Sequence, residues 1–202
     1  MSRKASYERK TKETEISASV NLDGRGRHEI GTPIGFFNHM LETLAKHSLF
    51  DIRLKASGDV QVDQHHLIED CGLVLGKAIS KALKDRKGIN RSGYYVYPMD
   101  EALAVVAVDM GGRPYLQYDA AFNRQFCGQM NTDLLEDFFQ AFSVKLEANI
   151  AVRMPFGRSD HHKMEAIFKA LGRAMRMACS QDPKESENIP STKGVIDHDR
   201  NR

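Results

Sequence analysis

The apolar pattern opens with an alternation. Ile16, Ala18, Val20 and Leu22 face one way, with Ser17, Ser19 and Asn21 between them. That spacing predicts a half-buried strand ending at the turn signal Asp23-Gly24. The period then changes. Phe37, Met40, Leu41 and Leu44 recur at i, i+3, i+4 and i+7, which is helix spacing, and Pro33 stands where a helix can start. A short strand is expected over 50–54, then a second helix over 63–85 that stops near Gly88. Residues 94–96 and 102–108 are β-rich and read as a pair, Arg113-Pro114 interrupts, and another strand follows near 115–118. A helix is expected over 131–147 with Leu135, Phe138, Phe139 and Phe142 on one face, then a strand over 150–152 and a last helix over 160–179. From about residue 181 the chain turns polar and is expected to loop over the surface or a neighbour.

The order is βαβα, then more strands, then αβα, so the two halves resemble each other. His65-His66-Leu67-Ile68-Glu69 recurs 96 residues later as His161-His162-Lys163-Met164-Glu165. At the same offset Leu75-Gly76-Lys77-Ala78 meets Leu171-Gly172-Arg173-Ala174, and Gly-containing turns precede both motifs. Upstream, 36–41 matches 134–139 at an offset of 98, so a two-residue difference in loop length is expected. A duplicated half-domain is the simplest explanation. It predicts one repeat over 1–92, a second over 93–180 and a tail over 181–202.

The doubled HHxxE carries the chemistry. On a helix His65 and Glu69 are i, i+4, and His66 and Glu69 are i, i+3, so all three approach one face. Adjacent histidines point about 100° apart, so they reach two ions more readily than they chelate one. Imidazole with carboxylate suits Zn, Mn, Fe or Ni rather than Ca or Mg. A dinuclear centre built from both halves is the sharper reading; a solvated His-His dipeptide is the plainer one. His39 is raised to a candidate ligand by its fixed place in the repeat. Its mate Asp137 is either an oxygen ligand or a helix-surface charge. His28, His47 and His198 have no mates and read as structural or solvated.

Composition narrows the class. The chain has 202 residues, 41% hydrophobic and 28% charged, which fits one large domain or two small fused ones with a real core. A net charge of +2 is too small to argue for nucleic acid or an anionic membrane. The longest apolar run, Ala102 to Val108, is far short of a spanning helix, and the first fifteen residues show no apolar signal region. Cys71, Cys127 and Cys179 are odd in number and far apart, so a reducing cytoplasm is expected rather than a disulfide framework. HExxH, GxSxG, P-loop and GxGxxG contexts are absent.

The strings Asn21-Leu22-Asp23-Gly24, Gly35-Phe36-Phe37-Asn38-His39-Met40-Leu41, Asp63-Gln64-His65-His66-Leu67-Ile68-Glu69-Asp70, Gly112-Arg113-Pro114-Tyr115, the second HHxxE with Ala166-Ile167-Phe168-Lys169-Ala170, and Pro190-Ser191-Thr192-Lys193-Gly194 resemble the imidazoleglycerol-phosphate dehydratase family. The match runs from about residue 4 to 196, with order and spacing preserved. The resemblance implies an α+β fold of two duplicated half-domains packed together, each like one found in a ribosomal protein. It implies a lyase of histidine biosynthesis that dehydrates imidazole glycerol phosphate to imidazole acetol phosphate. It also implies two manganese ions per site, though intrinsic affinity alone favours zinc and leaves iron open. A 24-subunit cytoplasmic shell with sites between subunits is implied as well, and neither a nucleic-acid nor a membrane partner.

The proton lost in that reaction is not next to a carbonyl and is not acidic by itself, so Lewis-acid and template catalysis are needed. The resemblance points to Glu13 for proton transfer and to Glu69 and Glu165 as catalytic carboxylates as well as ligands. For the substrate phosphate it nominates Arg91, Arg113, Lys169, Ser191 and Lys193. Without it, Arg91 and Arg113 read as loop solvation or caps. Lys169 follows Glu165 by four residues and projects near the metal face. Repeat symmetry gives two ligand sets: His39, His66, His161 and Glu165; and His65, Glu69, Asp137 and His162. Completion across a subunit interface is left open. Asp137, Ala151 and Thr43 depart from the family pattern of His or Glu, His, and Gln. Relatives fused to a phosphatase exist, and 202 residues leave no room for a second enzyme. The competing readings are a dinuclear metallohydrolase acting on a phosphorylated small molecule and a non-catalytic metal- or RNA-binding module.

Overall fold

The computed structural model describes residues 3–186 and 188–196. The first half runs β1 (Lys4–Lys10), β2 (Thr14–Asn21), β3 (His28–Gly31), α1 (Gly35–Ser48), β4 (Asp51–Gly58) and α2 (His65–Leu83). The second runs β5 (Ser92–Met99), β6 (Ala102–Asp109), β7 (Tyr115–Asp119), a short hairpin of β8 (Phe126–Cys127) and β9 (Met130–Asn131), α3 (Leu134–Leu146), β10 (Asn149–Phe156) and α4 (Asp160–Cys179). The sheets have matching orders, β1-β2-β4-β3 and β5-β6-β10-β7. In each, the two central strands are antiparallel and the last joins parallel, β3 to β4 and β7 to β10. The duplicated α+β half-domain is therefore observed. Even the helix ends repeat: Leu49 and Glu147, 98 residues apart, both close their helices in the left-handed conformation.

Strand β2 shows the expected alternation, with Thr14, Ile16, Ala18 and Val20 buried and the residues between them exposed. Two strands escape the apolar pattern for physical reasons. In β1 no residue is fully buried, because it lies at the sheet edge and packs only Ala5 and Tyr7 against the core. Strand β3 has four residues, too few for a period. The β8–β9 hairpin was also not expected. Residues 120–133 connect β7 to α3, where 32–34 suffice between β3 and α1. The spacing of the halves thus shifts through this long insertion, then again by two residues between β10 and α4.

Helices α2 and α4 each lie on their own sheet, and across the halves α2 packs on α3 and α1 on α4. Phe138 stands where they meet. It is fully buried, with Phe37 of α1 at 5.5 Å and Phe168 of α4 at 5.7 Å between ring centroids. Glycines set the approach. A Cβ on Gly76 would stand 2.6 Å from the Phe142 carbonyl oxygen, and one on Gly172 would stand 2.8 Å from His47 Cβ and 3.0 Å from the Leu44 carbonyl oxygen. These are repeat mates doing the same work in the two crossings. Arg86, fully buried, ties the halves polarly: it donates to the carbonyls of Met110, Leu146 and Glu147 and to the Glu147 carboxylate. Among the described residues no helix is long and apolar enough to cross a membrane.

Candidate functional site

The close α1–α4 crossing delivers His39 to the start of α4. There His161 and Glu165 share a face because they are one turn apart, His161 Nε2 lying 3.4 Å from Glu165 Oε2. One ligand-type atom from each of His39, His161 and Glu165 lies within 4.8 Å of the others. Phe36 packs edge-on against His161 at 5.0 Å. Burial works against the charge on Glu165, but a hydrogen bond from Lys169 at 2.9 Å, with the nearby His39 and His161, holds the carboxyl below its ordinary pKa. Two imidazoles and an ionised carboxylate, half open to solvent, fit a first-row divalent cation.

The α2–α3 crossing builds the repeat-related group. Asp137 Oδ2 stands 3.2 Å from His65 Nδ1, and Glu69 Oε2 stands 4.0 Å from His65 Nε2. Asp137 therefore holds the place of His39, His65 that of His161, and Glu69 that of Glu165. The shorter carboxylate still reaches its histidine. Of the other departures, Thr43 is buried in α1 one turn after His39, and Ala151 lies between Ala107 and Gln117 on β10.

His66 and His162 go elsewhere. Each is turned away from the group of its neighbour, the rings of His161 and His162 lying at 84°. His66 Nδ1 donates to Asp59 at 3.1 Å, and His162 Nδ1 donates to Glu101 Oε2 at 2.8 Å. Glu101 Oε1 also accepts the backbone N–H of Ser159, the N-cap of α4. One chain thus brings together three of the four residues expected in each set. Asp59, Glu101 and Asp100 were not foreseen. Glu101 had a signal: it lies 88 residues after Glu13, the spacing that separates β1 and β2 from β5 and β6.

The Glu101–His162 pair has a pH signature. The hydrogen bond to Glu101 raises the His162 pKa, helped by Asp100 and Glu165, and the same bond with that from Ser159 lowers Glu101 to about 2. The histidine contribution is complete below about 6.5 and is lost as pH rises through its raised value; that of Glu101 is complete above about 4.3 and is lost as pH falls toward about 2. In chelator-treated protein, Glu101→Gln is expected to lower the melting temperature most between about pH 4.5 and 6.5, and less at pH 9. Melting curves of both proteins from pH 4 to 9 test this; a difference independent of pH would refute it.

The remaining nominated residues are spread out. Glu13 is exposed in the β1–β2 turn, near enough to His66 to favour its protonated form. Lys169 faces Glu165. Arg113 is exposed in the loop after β6. Arg91 precedes β5 and is engaged by Asp109 and by the carbonyl of Pro190, next to Ser191 in the tail. Lys193 is exposed in that tail. His28 contacts the Gly26 carbonyl, and His47 packs on Tyr97 within electrostatic reach of Glu165 and Lys169. His198 lies outside the described residues.

Comparison with known proteins gives a consistent answer. The sequence profile described as Imidazoleglycerol-phosphate dehydratase matches residues 32–175. The chain is 47% identical over 96% of its length to the whole of the Imidazoleglycerol-phosphate dehydratase of Koribacter versatilis. It is 52% identical to the Histidine biosynthesis bifunctional protein HisB of Legionella pneumophila, spanning 54% of that longer protein. A crystal structure of Imidazoleglycerol-phosphate dehydratase from Staphylococcus aureus superposes with a TM-score of 0.80 at 35% identity, covering 89% of this chain and 99% of the other.

Proposed function

The chain belongs to the imidazoleglycerol-phosphate dehydratase family, and on that footing we propose how its residues carry the reaction. The enzyme dehydrates imidazole glycerol phosphate in histidine biosynthesis. The product is imidazole acetol phosphate: the carbon beside the ring loses its hydroxyl, the next carbon loses its C–H proton, and the enol so formed takes up a proton beside the ring and becomes the ketone, with net loss of water. The single observation that carries the site assignment is the meeting of His39, His161 and Glu165, drawn from both halves, with Asp137, His65 and Glu69 as their repeat-related counterparts.

In this reading each group holds one divalent ion, manganese by family likeness. The ions would supply Lewis acidity and a template for the imidazole ring. His66 and His162 reach the groups of a neighbouring copy. Their Nδ1 atoms are engaged by Asp59 and Glu101, so Nε2 is the nitrogen each presents. The sites then form between subunits of a 24-subunit shell. Glu13, exposed and beside His66, takes the proton from carbon and returns one to the departing hydroxyl. Glu69 and Glu165 hold charge beside the reacting ring. Lys169, Arg91, Arg113, Ser191 and Lys193 bind the phosphate. Residues 1–92 and 93–180 are the two half-domains, with 181–202 as the tail that brings Ser191 and Lys193. The enzyme works in the cytoplasm.

Turnover tests the proposal. Chelator-stripped protein is expected to be inactive, and Mn2+ to restore formation of imidazole acetol phosphate with about two ions bound per chain. Sizing should place the active species at the mass of a 24-mer. Metal-independent dehydration would refute the metal assignment, and release of inorganic phosphate would mark a hydrolase instead.

A further inference from the structure

Arg91 is held in an unusual way. Its φ is +67°, in the left-handed region, and its backbone N–H and carbonyl are both committed, to Ala178 at the end of α4 and to Met110 after β6. Its side chain forms a fork with Asp109: Nε to Oδ1 at 2.7 Å and Nη2 to Oδ2 at 3.0 Å. Nη1 donates to the carbonyl of Pro190 at 2.9 Å. The tail is also clipped upstream, where the Gly88 N–H meets the Asn188 carbonyl and the Asp182 N–H meets the Gly88 carbonyl. Three of the five guanidinium N–H groups are therefore used, and one N–H on each terminal nitrogen remains for an incoming anion. Gly111 leaves room for the fork, since a Cβ there would stand 2.9 Å from Arg91 Nη2 and 3.0 Å from Asp109 Oδ2.

We propose that Asp109 is a positioning residue for phosphate recognition: it fixes the Arg91 guanidinium, and Arg91 seats the tail through Pro190, setting where Ser191 and Lys193 stand. This rests on the reading that Arg91, Ser191 and Lys193 bind the substrate phosphate. A lone Arg91 would swing on its long stem and lose the Pro190 carbonyl. The bidentate pair removes that freedom, so the protein–phosphate contacts are organised before substrate arrives.

The test uses full-length, metal-loaded protein. Asp109→Asn removes the charge and half of the fork. Gly111→Ala leaves the charges and crowds the fork, so it serves if the first variant folds poorly. Both are expected to speed hydrogen exchange of the 188–194 amides about tenfold while protection in α2 and α4 stays unchanged. KM should rise about tenfold with kcat within about threefold, and inorganic phosphate should inhibit correspondingly less well. Tail exchange within twofold of the parent in folded variants would overturn the seat, even if Lys193→Ala raises KM. Faster tail exchange, with KM and phosphate inhibition unmoved in all three variants, would leave the seat standing and refute the phosphate reading instead.

Discussion

Glu165→Gln is expected to strip about one metal ion per chain and to lower kcat by about three orders of magnitude, or about 4 kcal/mol of barrier. The substitution keeps shape and volume but removes the charge that answers His39, His161 and Lys169. An amide is a poor ligand for a first-row cation and offers one oxygen where the carboxylate offers two. It also leaves Lys169 without the partner it holds at 2.9 Å, which adds positive charge where a cation should sit. Glu69→Gln is the matched experiment in the other half. Repeat symmetry predicts a similar loss of about one ion, and the double variant should lose about two. Elemental analysis of the dialysed proteins beside steady-state kinetics gives both readouts. Full metal content with full activity in either single variant would remove that carboxylate from the site.

Gly172→Val is expected to destabilise the fold by about 3 kcal/mol, lowering the melting temperature by roughly 6–12 °C. The new side chain has nowhere to go. Its first carbon alone falls 2.8 Å from His47 Cβ and 3.0 Å from the Leu44 carbonyl oxygen, so α1 must move away from α4. That movement carries His39 from His161 and Glu165, since His39 rides on α1 and the other two on α4. Metal loss should therefore accompany the destabilisation and be confined to one ion per chain. The α2–α3 crossing, and with it the His65–Asp137 contact, is a separate seam spaced by Gly76. Gly76→Val should give the mirror result. Unchanged metal content in a Gly172→Val protein that melts lower would uncouple the crossing from the site.

Much of the site was legible because it is local. His161 and Glu165 lie one helical turn apart, so helix geometry alone puts them on a common face, and the repeat at 65–69 makes the same statement twice. The alternation of β2 and the stripes of α1 and α3 followed from the separation of apolar and polar positions. Edge strand β1 and the β8–β9 hairpin did not, because neither needs an apolar period to form.

What the sequence by itself determined is the duplicated α+β architecture, the two HHxxE motifs and the family, all set by residue type and spacing along one chain. Only the tertiary structure decided which partner each ligand meets. His39 and His161 lie on helices 112 residues apart at their nearest ends before they approach, and the meeting depends on a glycine that lets two backbones touch. Asp59 and Glu101 hold equivalent histidines from non-equivalent loops, and Asp109 reaches Arg91 from the neighbouring strand. Such contacts are fixed by packing at long range, where periodicity carries no information, and the ring orientation that separates His161 from His162 exists only once those contacts have formed.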